Sequence, residues 1–423
     1  MTHFSDSMQQ IFHRLYRSLV TLLLTFVSLF VQAQETLSSD SLVAADLRAR
    51  GIHTTDGNDV RLLKSGHDKF VDLFEEVQKA KHFIHLEYFN FRNDTITEHL
   101  IRLLAEKARE GVEVRAMYDA FGNSSNNRPL KHHKHDSIEA LGIRLVRFDP
   151  IRFPYINHAI PRDHRKIVVI DGRVGYTGGM NVANYYITGI EGIGPWRDMH
   201  MHIEGPAVND LHNIFCRMWA GQTGEILVGP KYFPAHSGHE GTIRVAIVDR
   251  EAGYTPSAIR DLFVSMLNSA RHHVRIITPY FVPTHRVRQA LKDAVDRGIH
   301  VEIMLSAKGD IPMMPDITHY IGNNLAKRGA QVYLYTGGFH HSKLMIIDDR
   351  FCTIGSANMD SRSLRCDYEV NAVIFAQKTV DELNAMFEAD LAQSYPLTRE
   401  TYHQKSLWKR FVGWFGNLLT PVM

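Results

Sequence analysis

Apolar and polar positions along the chain switch repeatedly between two periods. Over "DKFVDLFEEVQKAKH" the apolar residues recur at spacings of three and four, which predicts a helix, and "FIHLEYFNF" follows as a strand. "ITEHLIRLLAEKAREG" reads as a helix closed by Gly111, and "VEVRAMYDA" as a strand. The order then returns. "SAIRDLFVSMLNSARHH" is a helix, "VRIITPYFVP" a strand, "HRVRQALKDAVDRG" a helix closed by Gly298, and "HVEIMLSA" a strand. Gly111-Val112-Glu113-Val114 aligns with Gly298-Ile299-His300-Val301, and Tyr88 with Tyr280. Strands alternating with helices in each half predict an α/β layer sandwich with a largely parallel or mixed sheet.

A polar pattern rides on this repeat. "HRKIVVIDGRVGYTGGMN" begins at His164 and "HSKLMIIDDRFCTIGSAN" at His341. The offset is constant, since 341 − 164, 343 − 166, 348 − 171 and 358 − 181 all give 177. In an extended segment side chains alternate, so His164 and Lys166 share a face, as do His341 and Lys343. The apolar runs that follow read as buried strands ending at Asp171 and Asp348. Gly178-Gly179 and Gly355-Ser356 permit close backbone approach, and Asn181 and Asn358 add an amide donor. Each half therefore offers an imidazole, a cation and an amide. Paired about a pseudo-two-fold axis, two Lys and two amides suit a tetrahedral anion such as phosphate. Two His suit a two-step transfer in which one attacks phosphorus and the other protonates the leaving alkoxide, then activates the acceptor. Imidazole can hold both states near neutral pH. Two ammonium groups neutralise the phosphate, so no metal or other cofactor is required. In "HHKHD" (His132 to Asp136) Lys131 and Lys134 would repel a cation, and a solvated basic loop is expected there.

Composition adds limits. The 423 residues can hold about two domains. The 48 Lys+Arg against 46 Asp+Glu leave a charge of +2, which demands no nucleic-acid partner. Cys216, Cys352 and Cys366 are too few and scattered for a disulfide framework or thiolate site. Arg14 and Arg17 precede the uncharged "LVTLLLTFVSLFV", shorter than the roughly 20 residues a spanning helix prefers. With Val31 and Ala33 before a possible cut, residues 1–33 read as a secretory signal or a membrane anchor. Either places the rest of the chain on the extracytoplasmic face of the cell membrane. The Gly- and Pro-containing "TGEILVGPKYFPAHSGHEG" divides a first domain, 45–230, from a second, 240–395. Extra residues of the first half fall around "NSSNNRPLKHHKHD" and "PYINHAIPRD". The tail, 396–423, holds an amphipathic stretch with two Trp, suited to a membrane interface or to packing on the second domain.

The duplicated His-x-Lys-x4-Asp-x6-Gly-Gly/Ser-x-Asn pattern resembles the signature of the phospholipase D superfamily, over nearly all of residues 60 to 395. "HLEYFNFRND", "VEVRAMYDAFGN", "PWRDMHMHIEGP", "ITPYFVP" and "SANMDSRSLRCDYEVN" make the chain similar to bacterial cardiolipin synthases. The resemblance implies two tandem domains, each a mixed sheet flanked by helices, with one active site at their interface. It implies catalytic roles for His164, Lys166, Asp171, His341, Lys343 and Asp348, with Asn181 and Asn358 binding or orienting substrate. Family members carry an acidic residue downstream of each motif that orients the His. Glu369 lies 28 positions after His341 in that place, while Asp198, with Glu204 as a second candidate, is expected to partner His164. The implied partners are phosphatidylglycerol, other anionic phospholipid and a membrane surface. Two phosphatidylglycerol molecules would give cardiolipin and glycerol, with His164 as nucleophile and His341 as acid/base. Hydrolysis of phospholipid or nucleic acid shares the chemistry up to the covalent intermediate.

Overall fold

The structure, a computed structural model, describes residues 16–22, 37–150, 161–237 and 241–419. Most of the N-terminal apolar run and most of "PYINHAIPRD" lie outside the described residues. Among the described residues, no helix is long and apolar enough to cross a membrane.

The predicted strands form, and their apolar runs explain why. Phe83–Tyr88 is buried along its whole length and pairs in parallel with Glu113–Asp119. His273–Ile277 pairs the same way with His300–Ser306. The strands after each His motif, Lys166–Ile170 and Leu344–Ile347, run antiparallel beside Phe83–Tyr88 and His273–Ile277. Both halves therefore contain mixed sheets.

The first half orders its strands Arg144–Phe148, Glu113–Asp119, Phe83–Tyr88, Lys166–Ile170, Val174–Gly178, His200–Glu204, Thr55–Leu63. The last pairs antiparallel with Ile243–Arg250. From there the second half repeats the order in mirror sequence: Glu369–Phe375, Phe351–Gly355, Leu344–Ile347, His273–Ile277, His300–Ser306, Gln331–Tyr335. Ser394–Pro396 is added at the far edge, giving 15 strands in all.

Each sheet carries helices on its outer face. Phe70, Leu73, Leu100 and Leu104 bury against Ile84, Leu86 and Val114 in the first half. Ile259, Phe263 and Leu291 bury against Val274, Ile276 and Val301 in the second. The inner faces share one core, in which Ile167, Val169 and Met201 join Ile277, Leu344, Ile346, Ile354 and Val370. At about 1.5–3 kcal/mol for each buried aliphatic side chain, this core fastens the halves together.

Two readings of the sequence change. "HHKHD" opens a short helix, His132–Glu139, rather than a loop, and His135 faces both Asp136 and Glu139 across it. Tyr88 and Tyr280 are not equivalent. Tyr88 pairs with Lys166, whereas the register Ile277↔Leu344 carries on to place Thr278 opposite Lys343. The residue in the second half that matches Tyr88 is thus Thr278, and Tyr280 matches Asn90. The repeated aromatic in "EYFNF" and "PYFVP" suggested an alignment shifted by two residues.

The tail forms the helix Leu407–Leu419, which lies on the helix Met314–Ala326. Gly413 and Gly416 make that approach possible. A Cβ at Gly413 would stand 2.5 Å from the Asp316 carbonyl oxygen, and one at Gly416 2.4 Å from Ile317 Cδ1. The opposite face leaves Leu407, Trp408, Phe411, Trp414, Phe415 and Leu418 exposed.

Candidate active site

The segment that leads into each motif crosses to the other half. Asp163 bridges to Tyr368, and the His164 N–H donates to the Tyr368 carbonyl at 3.0 Å. In the second half His340 pairs with Arg197, and the His341 N–H donates to the Arg197 carbonyl at 2.6 Å. Tyr368 and Arg197 immediately precede Glu369 and Asp198. This backbone pairing therefore delivers each imidazole to the carboxylate of the opposite half.

The contacts follow. His164 Nδ1 lies 3.0 and 3.2 Å from the Glu369 carboxylate oxygens. His341 Nδ1 lies 2.6 Å from Asp198 Oδ2. The expected assignment, Asp198 to His164, is thus reversed, and Glu204 instead sits 3.1 Å from His202 Nε2. Distance along the chain suggested partners within a half, but the sheets' inner faces bring the halves into register across the interface. Each carboxylate fixes Nδ1 as the protonated nitrogen and leaves Nε2 free for chemistry.

The small residues fit the two carboxylates differently. A Cβ at Gly179 would stand 2.1 Å from Asp198 Oδ1, so that position tolerates no side chain. Its counterpart Ser356 donates a short hydrogen bond from Oγ to Glu369 Oε2. The loop amides are also pinned alike, Met180 N–H by His200 Nδ1 at 3.4 Å and Ala357 N–H by Asn371 Oδ1 at 3.3 Å.

Electrostatics prepare the site for an anion. Burial drives the His164 pKa down to about 4 despite Glu369, so its ring is neutral at physiological pH. Burial likewise lowers His341, with Lys343 adding to the effect and Asp198 opposing it. Lys166 is pushed down to about 7 by burial and Lys343, against the pull of Glu369. Burial also lowers Lys343. For Asp198, burial raises the pKa, but Lys343 and His341 outweigh it and hold the carboxylate below its usual range. Lys166 Nζ donates to the His164 carbonyl, and Lys343 Nζ to that of His341, with His341 Nδ1 at 2.8 Å from Lys343 Nζ. A bound phosphodiester adds the negative charge that would restore both ammonium groups and favour an imidazolium.

His164, His341, Asn181 and Asn358 line one cavity of about 500 Å³. The Oδ1 atoms of Asn181 and Asn358 are buried and have no hydrogen-bond partner among the described residues. Polar groups held unpaired in a cavity are poised for a ligand. The walls set aromatic and aliphatic side chains, Phe89, Phe121, Tyr185, Trp196 and Met314, beside polar ones such as Asp310 and Asp360.

Asp171 and Asp348 do not join this group. Asp171 lies five residues beyond Lys166 along an extended strand, roughly 16 Å away. Its carboxylate accepts the N–H groups of Lys81, His82 and Phe83 at 2.7–2.9 Å. Asp348 accepts those of Arg271, His272 and His273 at 2.8–3.1 Å. Both have positive φ, 54° and 51°, a conformation that Asp tolerates in tight turns. They are turn residues that lock the helix-to-strand junction, so the catalytic role read from the motif is corrected. Asp171→Ala should cost about 1–3 kcal/mol of stability. A lowered melting temperature with kcat within a few-fold of the parent would establish the structural role.

Lys69 escaped the sequence reading. It is fully buried, and its Nζ donates to the carbonyls of Met180 and Asn181, each at 3.0 Å. The position corresponding to it on the second-half helix is Ile259, also buried. A lysine in an otherwise apolar helical stripe was the available signal.

Comparisons with known proteins agree with this geometry. A family model described as cardiolipin synthase, PLD-like domain, matches residues 73–219 and 263–391. A cardiolipin synthase of Geobacillus sp. is 35% identical over 86% of this chain and 72% of its own length. One from Listeria welshimeri is 35% identical over 88% of this chain and 77% of its own. The crystal structure of a phosphatidylserine synthase from Haemophilus influenzae, 14% identical, superimposes with a TM-score of 0.64 over 90% of this chain and 97% of that one, a likeness of fold. Two domains of one fold, sharing a site that each completes with the other's carboxylate, accompany these matches, and the chain belongs to the PLD-like cardiolipin synthase family.

Proposed function

We propose that this protein is a cardiolipin synthase that transfers a phosphatidyl group between two phosphatidylglycerol molecules. The observation that carries the reading is one cavity lined by both His and both Asn, with each His held from behind by the carboxylate of the other half. His164 Nε2 attacks phosphorus and forms a P–N bond, while the P–O bond to glycerol breaks. His341 gives its Nε2 proton to the departing oxygen. The terminal hydroxyl of a second phosphatidylglycerol then returns a proton to His341 and attacks phosphorus, the P–N bond breaks, and cardiolipin leaves. Lys166 and Lys343 hold the non-bridging oxygens throughout.

His164 takes the nucleophile's role because burial keeps it neutral down to about pH 4. Burial and Lys343 lower the His341 pKa, while Asp198 and, at longer range, Asp310 oppose them and favour the protonated ring that donates to the leaving oxygen. A membrane surface supplies both lipids. The exposed Trp408, Phe411, Trp414 and Phe415, with Lys409 and Arg410 on the same helix, support seating of the tail in an anionic interface. The N-terminal charge and apolar pattern support an extracytoplasmic position for the catalytic domains.

Product analysis by mass spectrometry tests the reading. Purified protein with phosphatidylglycerol in mixed micelles should yield cardiolipin and free glycerol. Phosphatidic acid as sole product would make water the acceptor and the protein a hydrolase.

The pH profile follows from the shifted groups of the site. The free enzyme needs His164 neutral, so kcat/KM should rise through about pH 4. It also needs His341 protonated, which burial and Lys343 disfavour, and the Lys166 ammonium, lost as pH climbs through about 7, so kcat/KM should fall steeply above that point, where both charges are gone. Lys166→Arg, which stays charged, should leave the shallower fall of His341 alone even as it lowers the rate. A fall that stays equally steep in that variant would show that Lys166 does not titrate in the profile.

A further inference from the structure

We infer that Tyr280 and Asp310 form the subsite for the alcohol head group, holding first the departing glycerol and then the acceptor's glycerol against His341. The inference rests on the transfer reading above and names where the transferred group's partner binds.

The two walls of the cavity are built by equivalent segments but carry different chemistry. At the matching position two residues past the one facing the catalytic lysine, the first half has Asn90 and the second Tyr280, and both line the cavity. On the His164 side the nearest ring is apolar, and the charged lining residues Arg362 and Asp367 are paired with each other. Phe89 stands edge-on to His164 with ring centroids 5.0 Å apart, and Phe121, Ser125 and Asn126 lie beyond it. On the His341 side, Tyr280 stands edge-on to the His341 ring at 6.2 Å. Its hydroxyl hydrogen-bonds Asp310, at 2.8 Å from either carboxylate oxygen. Asp310 sits between the strand His300–Ser306 and the helix Met314–Ala326, beside Ile311 and Met314 at the cavity's edge.

Asp310 is the acid here with accepting capacity to spare. Asp198 and Glu369 are engaged by the two His. Asp360 accepts the Ser363 N–H at 2.8 Å as a helix cap. Asp367 pairs with Arg362 at 2.9 Å and accepts the Arg162 N–H. Asp310 is exposed, forms no ion pair among the described residues, and has only the Tyr280 hydroxyl on it. A carboxylate repels phosphate, so this wall leaves the phosphoryl group to the lysines. It attracts hydroxyl donors, and the Tyr280 oxygen adds a second acceptor. A vicinal diol such as glycerol fits the pair, one hydroxyl meeting His341 Nε2 and its neighbour meeting Asp310.

The bond changes are those of the transfer itself. The glycerol oxygen leaves phosphorus with the His341 proton while its neighbouring hydroxyl stays hydrogen-bonded to Asp310. In the second step the acceptor's hydroxyl proton passes to His341 as the new P–O bond replaces the P–N bond.

The test uses the full chain with phosphatidylglycerol in mixed micelles and equal concentrations of deuterated glycerol and 1-propanol. Mass spectrometry then gives the ratio of deuterated phosphatidylglycerol to phosphatidylpropanol. The parent should favour glycerol. Asp310→Ala should lower that ratio about tenfold or more, the loss of a charge-assisted hydrogen bond. Asp310→Asn, which keeps an accepting oxygen without the charge, should give a ratio between those of the parent and Asp310→Ala, and Tyr280→Phe should lose part of the preference. A ratio unchanged in Asp310→Ala, with both alcohols still captured, would overturn the subsite and leave transfer standing. Phosphatidic acid alone from the parent would overturn both.

Discussion

Replacing His164 with Ala is expected to abolish phosphatidyl transfer, lowering kcat/KM by roughly ten-thousandfold or more. The reason is the absence of a substitute: His341 serves as proton donor, and both lysines hydrogen-bond the backbone carbonyls of the two His. His341→Ala should lose overall turnover almost as severely but fail at a different step. A donor lipid that releases nitrophenolate separates the two, because that leaving group departs without a proton. His341→Ala should then release about one equivalent of nitrophenol per chain and stop. His164→Ala should release none. Equal bursts from both variants would remove the distinction between nucleophile and acid.

Glu369→Gln and Asp198→Asn should each cost about a hundred- to ten-thousandfold in kcat, because a neutral amide no longer holds the Nδ1 proton and the ring loses its reactive tautomer. The crossed pairing decides which step each change stops. Glu369 follows His341 in the sequence yet contacts His164, so Glu369→Gln should lose the nitrophenol burst. Asp198 follows His164 yet contacts His341, so Asp198→Asn should keep the burst and lose turnover. The reverse pattern would show that each carboxylate serves its own half. Thermal melting of both variants guards against a trivial loss, since both carboxylates are buried and charged.

Local periodicity made much of this architecture legible. The alternation of helix and strand, the constant 177-residue offset and the His-x-Lys face are short-range features, and short-range features survive in a sequence. What failed to show was long-range. The swap of Asp198 and Glu369 depends on backbone pairing between Asp163 and Tyr368 and between His340 and Arg197, across the interface. Asp171 and Asp348 misled for the opposite reason. They recur as faithfully as the His residues, but they recur because each half needs the same positive-φ turn, not because phosphate needs them. Register within a sheet is equally invisible, so the repeated Tyr-Phe pulled the alignment two residues from the true one. Lys69 was readable in principle, as a charge on the buried face of the helix Gly66–Lys79, but its target is a loop more than a hundred residues away.

The most direct measurement is to let His341→Ala react with the nitrophenyl donor, quench it, digest it and locate the phosphatidyl mass by tandem mass spectrometry. The adduct is expected on the peptide containing His164, at that imidazole, and none when His164 is also replaced. A phosphatidyl group on any other residue, or a burst of nitrophenol with no adduct at all, would contradict that expectation.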